Sequence, residues 1–185
     1  SFIKPHHPFD PPAAWSDMYD ADALQLLPGY LPAPLQRDLD YHRGYFPGAD
    51  MTEAKIRRAM AYYYATVSQI DHQVGRMIAH LKENGLYDNT LILYNSDHGE
   101  YLGYHHMLLK GGYMYEPLIR VPLLIKYPGQ ANAGQASEAL VNTVDLAPTL
   151  LNQAGCKIPA SMAGMDLANT QEKRGILFAE SGRGQ

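Results

Sequence analysis

Thr90-Leu91-Ile92-Leu93-Tyr94-Asn95-Ser96-Asp97-His98-Gly99-Glu100 is the stretch on which the fold turns. From Thr90 to Asn95 it is a continuous apolar run of strand length, as expected for a strand buried on both faces. A short polar string follows directly. Ligands in open α/β sheets bind beyond the carboxyl ends of the strands, so Asp97 and His98 fall where such a fold places its chemistry. A carboxylate beside an imidazole suits a divalent cation, and Gly99 lets the backbone turn tightly against a ligand. The same tripeptide reads equally well as a plain turn after a strand.

Working outward, the preceding residues predict one long helix over 52–84. Thr52 is placed to cap it, and Glu53 favours the positive end of the helix dipole. Apolar residues recur at Ile56, Met60, Tyr63, Val67, Ile70, Val74, Ile78 and Leu81, steps of three and four that make one stripe. Asn84-Gly85 ends it, with Gly85 suited to the left-handed position after a helix. Helix, short turn and buried strand form the repeating unit of a parallel sheet. Downstream, Val121 to Tyr127 reads as a second strand with Pro122 near its start, stopped by Pro128-Gly129. Asp145 to Ala154 reads as a short helix with an aspartate cap, and Gly175 to Ala179 as a last strand. Residues 5–50, rich in proline, glycine and aspartate, read as a long irregular segment with a short helical turn near Ala21 to Leu26. The expectation is an α/β fold with a mostly parallel or mixed central sheet flanked by helices.

The chain has 185 residues and a net charge of −4 with its histidines neutral. That is long enough for one domain with a core, and it carries no basic footprint for nucleic acid. No apolar run approaches the length of a membrane span. The single Cys156 excludes an intrachain disulfide and a cysteine-only metal site; it reads as a half-buried structural thiol.

Two more places can carry chemistry. Lys110, in Leu108-Leu109-Lys110-Gly111-Gly112, can hold an anionic ester oxygen as a point charge, or be a solvated loop lysine. Lys4-Pro5-His6-His7-Pro8-Phe9 sets two imidazoles in a backbone stiffened by proline. A histidine there can act as general acid toward a leaving group, or be a surface loop residue. Trp15, Tyr19, Tyr30 and Tyr41 can stack on a sugar or aryl group, or pack the loop that carries them.

In order along the chain, Pro5-His6-His7-Pro8-Phe9, Ile70-Asp71-His72-Gln73-Val74-Gly75, Asn89-Thr90-Leu91 and Ser96-Asp97-His98-Gly99-Glu100 are followed by Lys110, Tyr115-Glu116, Arg120-Val121-Pro122 and Tyr127-Pro128-Gly129. Val144-Asp145-Leu146-Ala147-Pro148-Thr149-Leu150-Leu151 and Gly164-Met165-Asp166-Leu167 continue the series. Together these resemble the sulfatase family of the alkaline phosphatase superfamily, over nearly the whole chain apart from the loop near residues 13 to 50. The resemblance implies that residues 1–185 are part of an alkaline-phosphatase-like catalytic domain. It implies a divalent metal, usually Ca2+, with Mn2+ or Mg2+ as alternatives, and a formylglycine nucleophile. By motif, Asp97 and His98 match a pair of metal ligands, and Lys110 matches the lysine that contacts the sulfate group. His6 matches the histidine near the leaving oxygen, with His7 as the alternative one register away. His105 aligns with a frequent family histidine.

The Cys/Ser-x-Pro-x-Arg motif that yields formylglycine does not occur in these residues, nor does the family's first pair of metal-binding aspartates. Both are expected upstream, in a chain that reads as truncated on both sides. The implied parent hydrolyses a small-molecule or carbohydrate sulfate ester. Asp-His in place of the frequent Asp-Asn also fits phosphonate monoester or phosphodiester hydrolases, and a non-catalytic relative is the third reading.

Overall fold

The computed structural model describes residues 1–41, 51–131 and 133–168. The strand expected at Gly175 to Ala179 lies outside these. The chain forms two units: Ser1–Tyr87 with His98–Val121, and Asp88–Asp97 with the described residues from Pro122 onward.

The first unit is organised by one helix. After the short helices α1 (Ala13–Ser16) and α2 (Gln36–Tyr41), α3 runs from Glu53 to Glu83. Thr52 Oγ1 accepts the Lys55 N–H at 3.4 Å, satisfying a donor that a helix start leaves open. At the other end Gly85 has φ +65°. Leu86 N–H donates to Leu81 O at 2.9 Å and Gly85 N–H to Lys82 O at 3.1 Å, the paired closure that a glycine after a helix permits.

The buried face of α3 is Ile56, Met60, Ala61, Ala65, Thr66 and Ile70. Val67, on the expected stripe, is exposed, while two alanines that periodicity passed over are fully covered. The segment read as irregular packs along this helix. Tyr19 OH bonds Ser68 Oγ at 2.7 Å, the Phe9 and Tyr63 rings meet edge to face at 5.4 Å, and Trp15 lies 5.5 Å from His72.

The deepest cover on α3 comes from a loop rather than a strand. Leu102, Leu108 and Leu109 are buried in one cluster with Ile56 and Met60. Tyr101 and Met107 form a second cluster with Leu118 of α4 (Glu116–Ile119).

In the second unit β1 (Ile92–Asn95) pairs with β2 (Leu123–Lys126). The pairing is antiparallel, Ile92 opposite Lys126 through Asn95 opposite Leu123, which corrects the expectation of a parallel repeat for this pair. The reason is connectivity. A parallel neighbour needs a substantial crossover, usually helical, but the long helix precedes β1, and between the strands lie only the 3₁₀ turn Tyr104–His106 and four-residue α4. Both strands are half-buried rather than closed on both faces.

The helix expected from Asp145 is α5 (Leu146–Gln153), entered through a 3₁₀ turn, Thr143–Asp145. Asp145 does not cap it through its side chain. Its fully buried carboxylate instead accepts the N–H of Asn142 at 2.7 Å and of Met165 at 2.9 Å. Thr149 Oγ1 accepts from Leu167 N–H at 2.9 Å. The two motifs around Asp145 and Gly164 are thus halves of one clasp. Cys156 is exposed, not half-buried, because it lies in the turn that follows α5.

Candidate functional site

The N-terminal residues fold back on themselves. Lys4 Nζ donates to Pro8 O at 2.6 Å and pairs with Asp10, and His6 N–H reaches Ile3 O at 3.2 Å. The Lys4 partner holds the Asp10 carboxyl below its usual range. This turn presents His6 and His7 at the surface with their rings stacked 4.2 Å apart. His6 Nδ1–H donates to His7 O at 2.8 Å, which leaves Nε2 as the atom for proton exchange. His7 is held below its ordinary value by burial and then by the charges of His6, Lys110 and Lys4. Lys110, remote in sequence, is therefore brought within electrostatic reach of His7. Lys110 brings a positive charge, the chemistry an anionic ester requires.

Lys110 is delivered by the loop after Glu100. Tyr101 N–H donates to Leu109 O at 2.9 Å and Gly103 N–H to Met107 O at 2.8 Å, tying its two arms together. The half-buried Glu100 carboxylate accepts the N–H of Leu102 at 3.3 Å and that of Leu109 through the same oxygen. Burial pushes the Glu100 carboxyl up to about 7, against the pull of those two N–H groups and of Lys110.

Asp97 is exposed, two residues past the last residue of β1, in the second unit; His98 begins the returning part of the first. His98 Nδ1–H donates to Gly99 O at 2.8 Å, which orients the imidazole ring. Gly99 is close to backbone rather than to an open cleft. A Cβ there would stand 2.0 Å from Pro117 O, and its N–H donates to Leu118 O at 2.7 Å. Among the described residues no group of three or more His, Cys, Asp or Glu side chains is placed to share a cation. A carboxylate and an imidazole are donor types that a divalent cation takes, but two donors fall short of the six or more oxygen ligands calcium takes.

Sequence reasoning missed Asp38. Its carboxylate is fully buried and accepts from His105 Nδ1–H at 2.7 Å, from Tyr115 OH at 3.2 Å and from Arg37 Nε–H at 3.2 Å. Nothing in the proline-rich segment marks it, because His105 and Tyr115 come from the distant chain on either side of Lys110. His105, aligned earlier with a family histidine, is here the far end of that clamp. Tyr30 stacks at 4.3 Å on His106, whose Nε2–H donates to Leu31 O at 2.8 Å. The aromatics Trp15, Tyr19 and Tyr30 are thus engaged in packing; the Tyr41 side chain lies outside the described residues.

The sulfatase family profile matches residues 1–156. The multifunctional alkaline phosphatase superfamily protein PehA of Trinickia caryophylli is 37% identical over 183 residues, covering 90% of this chain and 35% of that protein. An arylsulfatase of Clostridium perfringens is 35% identical over 191 residues, covering 97% of this chain and 38% of that protein. Among solved structures, a phosphonate monoester hydrolase from Silicibacter pomeroyi superposes with a TM-score of 0.77 at 34% identity, covering 90% of this chain and 35% of that one. The chain spans little more than a third of the length of these relatives. The ordered motifs, the fold and the profile match agree, and the chain belongs to the sulfatase family.

Proposed function

We propose that this chain supplies the leaving-group and sulfate-binding side of a metal-dependent sulfatase that hydrolyses a small-molecule or carbohydrate sulfate ester. What supports the reading is that the Lys110 charge bears on His7, whose ring stacks on that of His6 at 4.2 Å. Lys110 acts as a point charge on the non-bridging oxygens. His6, as imidazolium, gives its Nε2 proton to the ester oxygen as the S–O bond breaks, so an alcohol leaves instead of an alkoxide. Asp97 and His98 would hold a divalent cation, calcium by family resemblance, together with ligands outside these residues. Bound there, such a cation supplies Lewis-acid stabilisation of charge on the ester oxygens. The nucleophile, a formylglycine by the same resemblance, belongs to another part of the protein. The two strands belong to a larger mixed sheet of alkaline-phosphatase type.

Phosphonate monoester hydrolysis is the second reading, favoured by the Asp97-His98 pair and by the 34% identical phosphonate monoester hydrolase structure. Initial rates of the whole protein on an aryl sulfate and an aryl phosphonate monoester, with and without a chelator, separate the two. Faster chelator-sensitive sulfate cleavage, lost in Asp97→Ala, is the expected result. Preference for the phosphonate would overturn the sulfatase reading and keep the cation site.

A further inference from the structure

One group at the edge of the site has no role in the chemistry above. Glu100 lies at the stem of the Tyr101–Leu109 loop, and a single carboxylate oxygen accepts the N–H of Leu102 and of Leu109, one from each arm. Those two residues share an uncommon backbone. Leu102 has φ +45° and Leu109 φ +64°, in the left-handed region that bulky side chains avoid. Such conformations persist only where the surroundings over-determine them. Below them the loop is wedged into the core, with Leu102, Leu108 and Leu109 all buried against α3. Leu109 is joined directly to Lys110, and the Lys110 charge acts on both Glu100 and His7.

We infer that Glu100 is a positioning residue: by clasping the Leu102 and Leu109 N–H groups it fixes the backbone from which Lys110 reaches the anion beside His6 and His7. The inference rests on the anion-binding role proposed for Lys110. Losing the clasp leaves the lysine present but its backbone unregistered, so anion affinity falls although no contact to the anion was removed. The work of the clasp is acceptance of two N–H bonds rather than charge. Glutamine, whose single carbonyl oxygen occupies the same place, therefore substitutes for it.

The test is a double-mutant cycle in the whole protein, read by kcat and KM on an aryl sulfate and by the inhibition constant of inorganic sulfate. Glu100→Ala is expected to weaken sulfate binding by about tenfold or more, the scale of coupling between neighbouring residues. Lys110→Ala weakens it at least as much, and the double variant is no worse than Lys110→Ala alone. Glu100→Gln recovers most of the loss. Losses that multiply in the double variant, or a glutamine variant as poor as alanine, would overturn the inference while leaving Lys110 in its role. A Lys110→Ala variant with unchanged sulfate binding would instead overturn the role of Lys110. Should Glu100→Ala not fold, Glu100→Asp withdraws the acceptor by one methylene, and the same non-additivity with Lys110→Ala is expected.

Discussion

His6 and His7 are neighbours with different tasks. The Nδ1–H of His6 is spent on the His7 carbonyl, so only Nε2 exchanges a proton. His6→Ala should lower kcat/KM by about 10²–10⁴ on an alkyl sulfate, the range for losing a general acid. On an aryl sulfate with a good leaving group the loss should be much smaller, because that oxygen departs without a proton. Equal losses on both substrates would move His6 out of the acid role. The Lys110 charge is one of the causes that lower His7 from its ordinary 6.5. Lys110→Ala should therefore raise the His7 pKa, a shift readable in an NMR titration of its imidazole. No change would mean the two groups are not neighbours in the working protein. Of these residues, His6, Lys110, Asp97 and His98 are all legible in the sequence as chemistry-bearing types in order. The roles of Glu100 and Asp38 are not, since an acidic residue looks the same in sequence whether it faces water or donors brought from distant segments.

At the level of elements, α3 is readable because its signals are local: a threonine cap, a 3.6-residue stripe and a glycine stop. Its buried face is only partly so. Ala61 and Ala65 are covered because other chain segments approach them closely, whereas Val67 faces solvent. The clasp on α5 is a tertiary feature of the same kind. Asp145 was expected to cap α5, but one of its oxygens closes a capping box with Asn142 in the 3₁₀ turn before that helix and the other reaches Met165. Asp145→Ala should destabilise the protein by about 2–6 kcal/mol, since two part-buried donors lose their acceptor at about 1–3 kcal/mol each. Asp145→Asn should recover only part, as its amide nitrogen replaces one acceptor with a donor facing an N–H. Urea unfolding measures both, and an alanine variant within about 0.5 kcal/mol of wild type would show that the clasp does not bear stability.

For the whole molecule, the decisive quantity is how much of a complete site these residues hold. Asp97 and His98 offer two donors, and no group of three His, Cys, Asp or Glu side chains is gathered among the described residues. A site with so few protein ligands should bind calcium weakly. The 185 residues expressed alone should turn over no aryl sulfate, whereas the whole protein should do so in a chelator-sensitive manner. Measurable metal-dependent turnover by the shorter chain would contradict this assignment of roles.

The sequence by itself determined the elements and the family: helix α3, the strand before Asp97 and the order of motifs. Each of these is written in spacings of a few residues or in local chemistry. Only the tertiary structure decided that β1 and β2 run antiparallel, that the Leu102–Leu109 loop is core, and that the Lys110 charge bears on His7. Those outcomes depend on which distant backbone groups meet. A hydrogen bond or a buried face has no sequence signature until the partner that satisfies it has been brought alongside.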